Sequence, residues 1–356
     1  MLRRAVLAVV AAGLVGVSSA GAVSSASPWI VTGDPTWSPD GTHIALAYSR
    51  GAAYRIAEAP ALGGGATRTV YSAENNGCCD PILWAAAGRI LFVTNDTLTS
   101  LPTNGRPTTL FASTPWFILS PNREVVAFDD GCLCGHSPDA IGLVGASGGK
   151  LTVIAKPKNA TDTIDGFSPD GTALVFTRSH FNAATGTSHP YLLVQRLTGG
   201  APVLLSRSAL IGWSRLPRGA AEPQWSPDGK WIAFHKSGLL EIVSTTGGAV
   251  RSLAPLSTFG AFSWSPTSAR LAYVAELGKA PAYGSDTRLA TVDLQGHRKP
   301  LWNSPSLHYL SEIGLDRPQW SPDGSKLVFL ARSGPRYPPI HIWIVGANGH
   351  GLKRIA

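Results

Sequence analysis

The chain has 356 residues, of which only 15% are charged, and it contains 39 Gly, 27 Pro and 11 Trp. That length is enough to bury a large core, and the many turn-forming residues favour short strands over long helices. The formal charge is +8, but the basic residues are scattered without a Lys/Arg run, which argues against nucleic acid as a partner.

The first 22 residues have the pattern of a secretory signal peptide. Arg3 and Arg4 precede an apolar run from Ala5 to Val17, and small residues follow. The run is shorter than the roughly 20 residues that span a bilayer, so cleavage is expected, and an uncleaved membrane anchor is the alternative. We predict a signal peptide at 1–22, an N-terminal segment at 23–33, and a secreted or periplasmic mature protein without a membrane span.

One segment of about a dozen residues recurs along the rest of the chain. Strong copies are TWSPDGTHIALAY at 36–48, QWSPDGKWIAF at 224–234 and QWSPDGSKLVFL at 319–330. Weaker copies are anchored at Leu83, Leu119, Phe167 and Trp264. The irregular spacings suit one four-stranded unit plus variable loops, so the sequence predicts seven such units.

Each copy predicts the same local structure. A short strand runs into the Ser-Pro-Asp-Gly turn, where Pro fixes φ at the first corner and Gly takes the positive φ. A second strand follows, a third ends in a glycine turn, and a fourth completes the unit. Each sheet exposes apolar faces that only neighbouring sheets can cover, so radial packing is expected, with the tryptophan of the repeat between sheets. We predict an all-β fold, a seven-bladed β-propeller of four-stranded antiparallel blades over 34–356. We further predict that Pro28 to Val31 adds an edge strand to the last blade.

The repeat resembles that of TolB-type propellers, which also occurs in the propeller domains of prolyl-oligopeptidase-like serine peptidases. The resemblance rests on WSPDGKWIAF, the aliphatic strand after it and the TTGG turn, and it extends from about Pro35 to Ala356. It implies a propeller and leaves the ligand open. We expect neither the α/β domain that precedes the propeller in TolB nor a peptidase domain, so the role of TolB in envelope assembly is not carried over.

The long connections all fall at the ends of the predicted blades opposite the short turns, and we call the surface they would form the long-loop face. They are Asp129 to Asp139, Ser179 to Pro190, Ser208 to Ala221, Ala275 to Asp286, Asn303 to Asp316, and Ser333 to Pro339. Variable loops on a rigid scaffold are where binding usually resides.

Aromatic and arginine side chains, the commonest anchors in protein interfaces, occur in or beside these connections. They are Phe181, Trp213, Tyr283, Tyr309 and Tyr337, with Arg215, Arg218, Arg317, Arg332 and Arg336. The alternative for each aromatic is packing within its own loop. We predict a noncatalytic scaffold, expected to be a monomer, that binds a protein or peptide partner at this face.

Carboxylates cluster where the innermost strands are predicted to begin. They are Asp34, Asp80, Asp165, Glu222 and Asp316. Converging carboxylates can hold Ca²⁺ or another hard cation at the channel mouth, whereas Asp before Pro also caps a turn. The turn interpretation is favoured, so no cofactor is predicted and Ca²⁺ is the alternative.

The four cysteines are Cys78, Cys79, Cys132 and Cys134. An exported chain meets an oxidising compartment, so disulfide cross-links are the default, with all three pairings open. A thiolate metal site that includes His136 is the alternative.

Two features bear on catalysis. Gly145 to Gly149 matches the G-x-S-x-G pattern of hydrolases, but a strand follows it instead of a helix, so a turn is predicted. His180, His189 and His308 lie in the predicted long connections. Some seven-bladed sugar-acid lyases resemble this architecture, so a carbohydrate-active lyase or hydrolase with a site at the same face is the alternative function.

Overall fold

The computed structural model describes residues 30–31, 36–60, 66–74, 82–95, 97–112, 116–129, 140–182, 184–185, 187–207, 223–256, 261–276, 287–304, 318–332 and 340–354. These residues form 29 strands and one short 3-10 turn. The chain divides into two compact units, Met1–Lys158 and Asn159–Ala356. Within the described ranges, no helix has the length and apolar character needed to cross a membrane.

The first unit contains three antiparallel sheets, blades one to three. Blade one consists of β1 (Ile30–Val31), β2 (Thr36–Trp37), β3 (His43–Arg50), β4 (Ala53–Pro60) and β5 (Arg68–Ala73). Blade two consists of β6 (Leu83–Ala85), β7 (Arg89–Thr94), β8 (Thr97–Pro102) and β9 (Thr108–Ala112), with the 3-10 turn at Ala86–Gly88. Blade three consists of β10 (Trp116–Leu119), β11 (Val125–Asp129), β12 (Ile141–Gly145) and β13 (Thr152–Ala155).

The second unit contains four antiparallel sheets, blades four to seven. Blade four consists of β14 (Thr161–Phe167), β15 (Ala173–Asn182), β16 (Thr187–Arg196) and β17 (Val203–Arg207). Blade five consists of β18 (Gln224–Trp225), β19 (Trp231–Lys236), β20 (Leu239–Ser244) and β21 (Arg251–Pro255). Blade six consists of β22 (Phe262–Trp264), β23 (Arg270–Glu276), β24 (Thr287–Asp293) and β25 (Arg298–Ser304). Blade seven consists of β26 (Gln319–Trp320), β27 (Lys326–Arg332), β28 (Ile340–Gly346) and β29 (Lys353–Arg354).

Strands pair in chain order in blades two to seven, and in blade one β1 and β2 both pair with β3, which confirms the predicted four-stranded repeat and the seven blades. Each sheet therefore has a turn end, where the first and second strands and the third and fourth strands are joined. Its opposite, long-loop end carries the link between the second and third strands and the link to the next sheet.

The prediction for Pro28 to Val31 is wrong. Ile30 and Val31 pair with Ser49 and Tyr48 of β3, so β1 belongs to blade one and not to the last blade. β2 pairs with the same edge of β3 further along. β1 and β2 are thus two stretches of one interrupted innermost edge.

The turn between the first two strands has the same geometry in different sequences. Gly171, Gly229 and Gly324 all have φ near +70°, as the repeat predicts. Arg123 in blade three and Ser268 in blade six occupy the same position at a φ of 61°. In blade three the Arg123 side chain donates hydrogen bonds to the carbonyl oxygens of Trp84 and Trp37, at 3.2 and 3.4 Å, so it connects three blades.

Apolar side chains fill the spaces between successive sheets of each unit. In the first unit, Ala47, Ile56, Trp84 and Phe92 join blades one and two, and Leu98, Phe117 and Phe128 join blades two and three. In the second unit, the clusters include Val175, Phe234, Leu240, Trp264, Leu289 and Phe329. The side chains alternate in direction along each strand, so both faces of a sheet contribute to the core.

In blades two, five, six and seven, a tryptophan of the first strand connects the sheet to the one before it. The indole N–H of Trp84 donates to the carbonyl oxygen of Thr36 at 3.0 Å. The same bond runs from Trp225 to Gly166, from Trp264 to Gln224 and from Trp320 to Ser263, each at 3.2 Å. Since a buried indole needs an acceptor, this bond fixes the ring between the two sheets and accounts for the repeated Trp.

Candidate functional site

The serine and aspartate side chains of the Ser-Pro-Asp-Gly turns bond within their own turns. The hydroxyl group of Ser38 donates to Asp40 at 2.6 Å, and the amide of Thr42 donates to the same carboxylate at 3.0 Å. Ser168 and Asp170 in blade four repeat the serine–aspartate bond at 2.6 Å. The hydrogen bond from Ser38 is the main reason why the pKa of Asp40 falls to about 2. These side chains shape the turns.

The long-loop end of blade four differs from this pattern. β15 and β16 have ten residues each, whereas their counterparts in the other blades have five to eight among the described residues. The predicted long connection from Ser179 to Pro190 is therefore mostly strand, and Ser179 pairs directly with Pro190. Phe181, predicted on a loop, lies on β15, and its side chain is outside the described residues.

Four side chains form one row across all four strands of blade four. Asp162 on β14 pairs with Arg178 on β15, Arg178 with Tyr191 on β16, and Tyr191 with Arg207 on β17. Residues opposite one another in antiparallel strands point to the same face. The row therefore places an acid, two cations and a phenol side by side.

The inner end of this row is a buried ion pair. Arg178 donates two hydrogen bonds of 2.7 Å to Asp162, whose carboxylate is fully buried. Burial raises the pKa of Asp162, whereas the bonds from Arg178 act to lower it. The same bonds raise the pKa of Arg178. The fork of the guanidinium satisfies both carboxylate oxygens, so this pair fixes Arg178 against β14.

The outer part of the row is accessible. Arg207 is exposed, and its guanidinium carbon lies 5.9 Å from the centre of the Tyr191 ring. The exposed His180 ring meets Tyr191 edge-on, with 5.4 Å between ring centroids. His189 pairs with His180 across the hairpin. The group offers a cation, an aromatic surface and two titratable rings to a ligand.

Asp165 is the predicted cation ligand that the structure describes. It sits in a bulge of β14, where the register shifts between Ile164 and Gly166. Its carboxylate accepts a hydrogen bond of 2.8 Å from the hydroxyl group of Thr177. Groups of three or more metal-binding side chains are absent from the described part of the chain. The other proposed ligands, Asp34, Asp80, Glu222 and Asp316, lie outside it.

Most of the predicted binding surface also lies outside the described residues. This applies to Trp213, Arg215, Arg218, Tyr283, Tyr309, Arg317, Arg336 and Tyr337, and to Cys78, Cys79, Cys132, Cys134 and His308. Their roles stay predictions. The backbone of Arg332 ends β27, at the long-loop end of blade seven.

The G-x-S-x-G pentapeptide is a turn, as predicted. β12 ends at Gly145, and the amide of Gly148 donates to the carbonyl oxygen of Gly145 at 2.9 Å. Gly148 and Gly149 have φ values of 97° and 122°, a conformation that glycine adopts without strain. Ser147 is therefore not on the strand-to-helix elbow that activates a hydrolase serine.

Sequence reasoning missed the row on blade four. Asp162 and Arg178 are 16 residues apart, and no local motif joins them. The alternation of Phe176, Arg178 and His180 along a strand is the available signal, but the predicted connection begins at Ser179 and so separates His180 from the other two.

Seven four-stranded antiparallel sheets connected in this order define a β-propeller. No protein-family model matches the chain. A protein of Bacillus subtilis (strain 168) described as the uncharacterized peptidase YuxL is 27% identical over 122 residues, which are 32% of this chain and 17% of that protein. The chain thus spans about a sixth of the length of this relative.

Solved structures resemble the chain over most of its length. An oligogalacturonate lyase from Vibrio parahaemolyticus has a TM-score of 0.55 at 11% identity, with 87% of this chain and 88% of that chain covered. TolB from Acinetobacter baumannii has a TM-score of 0.43 at 19% identity, with 83% and 74% covered. Sequence identities this low indicate a similar fold only, so the function has to be argued from the residues of the site.

Proposed function

We propose that the chain is an exported propeller scaffold that binds a protein or peptide partner at its long-loop face. The observation that carries this proposal is the group of exposed polar and aromatic side chains on blade four. At the long-loop end, Arg207 and His180 are exposed around Tyr191.

The chemistry of this group suits a protein partner. Tyrosine and arginine are enriched among the residues that dominate binding energy in interfaces. Tyr191 is held between the cation of Arg207 and the ring of His180, so little side-chain entropy is lost when a partner covers it. The predicted aromatic and arginine residues of the neighbouring connections would extend the same surface.

Export is the second part of the proposal. It rests on the signal-peptide pattern of residues 1–22. Detection of the mature protein in the periplasm or the medium, with its N-terminus near residue 23, would support it. A full-length chain that stays in the membrane fraction would contradict it. The four cysteines are then proposed to form disulfides, which mass spectrometry without reduction would detect.

Arg207→Ala and Tyr191→Ala test the binding surface. A partner captured from an envelope extract is purified, and its affinity is measured by calorimetry. Each substitution is expected to weaken binding by at least about 1 kcal/mol, as for an interface anchor. Arg106→Ala is the matched control, because Arg106 is an exposed arginine at the turn end of blade two. Equal affinities for wild type and both blade-four variants would refute the proposed surface.

A carbohydrate-active enzyme is the second candidate. The fold likeness to oligogalacturonate lyase and the His180–His189 pair beside two arginines favour it. The histidines supply an acid–base group, and the guanidinium groups suit carboxylated sugars. Turnover of a uronic-acid oligosaccharide that disappears in His180→Ala or His189→Ala would support this candidate. Absence of turnover with partner binding intact would favour the scaffold.

A further inference from the structure

A cleft of about 660 Å³ opens between blades four and five at their turn ends. Its apolar lining includes the half-buried indole of Trp225, with Ala173 and Val194. Asp170 and Asp228, from equivalent turns of the two blades, both line it. The cleft thus combines an aromatic surface with two acids, and it lies at the other end of the sheets from the long-loop face.

The turn of blade five, which borders the cleft, differs from the turn of blade six at one position. Between blades five and six, Ser268 accepts a hydrogen bond of 2.9 Å from the amide of Asp228, which ties the two turns together. Gly229 occupies the position of Ser268 one blade earlier. A Cβ atom placed there would lie 3.9 Å from Cδ of Pro169, in ordinary contact. The glycine therefore leaves the entrance between the turns of blades four and five open.

Both acids of the cleft carry a charge at neutral pH. The hydrogen bond from Ser168 is the main cause of the lowered pKa of Asp170. Burial acts to raise the pKa of Asp228, but hydrogen bonds from Ser226 and from the amide of Lys230 leave it lowered. The nearest cation to Asp228, Nζ of Lys230, is 3.8 Å away and highly exposed, so it neutralises the carboxylate weakly.

Two further residues define the rest of the cleft. Val203 on β17 lines the cleft and is 40% exposed. It is one of five exposed large hydrophobic residues in the part of the chain that the structure describes. Arg196 lines it on β16 and is exposed. Burial of this aliphatic side chain by a partner would be favourable.

We propose that this cleft binds an extended peptide segment through one basic side chain followed by an aliphatic one. The ammonium or guanidinium group lies between Asp170 and Asp228, and its alkyl stem lies on Trp225, an arrangement that combines ion pairing with a cation–π contact. The aliphatic side chain covers Val203. Arg196 donates to a carbonyl oxygen of the bound segment. This second binding surface does not depend on the function proposed for the long-loop face.

The test uses the capped tripeptide acetyl-Ala-Arg-Val-amide and its analogues with Gln or Glu in the central position. Binding to the ¹⁵N-labelled protein is followed by NMR, with the indole N–H signal of Trp225 assigned by Trp225→Phe. The Arg peptide is expected to shift this signal saturably with a Kd of about 1 mM, which corresponds to about −4 kcal/mol. The Gln peptide is expected to bind about fivefold more weakly, and the Glu peptide more weakly still.

Asp170→Asn and Asp228→Asn remove the charges but keep an oxygen that accepts the turn hydrogen bonds, so the fold is retained. Each is expected to raise the Kd of the Arg peptide about fivefold, the loss of roughly one exposed charge contact. Asp323→Asn makes the same change in the equivalent turn of blade seven and should leave the Kd unchanged. Gly229→Ser, which copies blade six, should narrow the cleft and weaken binding.

Three results would overturn the proposal. These are the absence of a saturable shift, equal binding of the Arg and Gln peptides, and a Kd for both cleft variants that matches wild type. Arg207→Ala separates the two surfaces, because it should leave the tripeptide Kd unchanged while it weakens the long-loop partner.

Discussion

The tryptophan of blade six gives the sharpest test of how the sheets hold together. Trp264 is 7% exposed, belongs to the core between blades five and six, and donates its indole N–H to Gln224 at 3.2 Å. Truncation of a buried Trp to Ala costs about 3 to 5 kcal/mol. With an unfolding entropy of about 2 cal/mol/K per residue, 1 kcal/mol corresponds to about 1.4 °C in a chain of this length, so Trp264→Ala should lower Tm by roughly 4 to 7 °C.

Two further variants separate packing from hydrogen bonding. Trp264→Phe keeps most of the ring contact but leaves the Gln224 carbonyl without its donor, so a loss of about 2 kcal/mol is expected. Trp225→Ala should cost less than Trp264→Ala, because Trp225 is half-buried and lines the cleft. Differential scanning calorimetry of the three variants would measure these losses. A Trp264→Phe protein as stable as wild type, or a Trp225→Ala protein less stable than Trp264→Ala, would refute the reasoning.

Three other predictions concern charge. In Asp162→Asn, Arg178 loses its buried charged partner. The free energy of unfolding, measured by urea titration, should therefore fall by about 2 to 4 kcal/mol. Adding Arg178→Met should recover part of that loss, and an unaffected single variant would show that the pair contributes nothing. Burial lowers the pKa of His235 from its usual 6.5, so the unfolded chain takes up the proton first and stability falls as pH drops below about 6.5. His235→Gln should flatten this part of the stability profile, and an unchanged slope would contradict it. The pKa of Asp323 falls from 3.8 to about 2, mainly through the bond from Ser321, so its stabilisation is present above pH 3.8 and is lost as pH falls towards 2. The Asp323→Asn protein should lack this pH-dependent stabilisation when it is unfolded by acid. Identical acid-unfolding curves for the variant and wild type would contradict the prediction.

The blades could be predicted from the sequence because different sets of residues form the same turn. Ser-Pro-Asp-Gly is explicit in blades one, four, five and seven, and blade three keeps the bond pattern with Asn122, which accepts from Ser120 at 2.7 Å. Blade two reaches a similar reversal through Ala87 and Gly88, whose φ values are 54° and 63°. The edge strand at Ile30 was misplaced because two residues carry too little pattern to specify which sheet they join.

The candidate site was only partly accessible to the same reasoning. Sequence can mark Asp165 as an acid near an innermost strand, but not that a bulge turns it towards Thr177. The pairing of Asp162 with Arg178 depends on the register across that bulge, which no local residue pattern encodes. Gly229 borders the cleft, but its nearest neighbour there, Cδ of Pro169, belongs to the preceding blade, so the sequence around Gly229 does not reveal the contact.

The indole hydrogen bonds all follow the same order along the chain. In every case an acceptor carbonyl precedes its donor in the chain, as Gly166 precedes Trp225 and Gln224 precedes Trp264. A chain that emerges N-terminus first therefore completes the sheet with the acceptor carbonyl before it makes the sheet with the indole donor. We therefore expect the blades joined by these bonds to assemble in the order of synthesis.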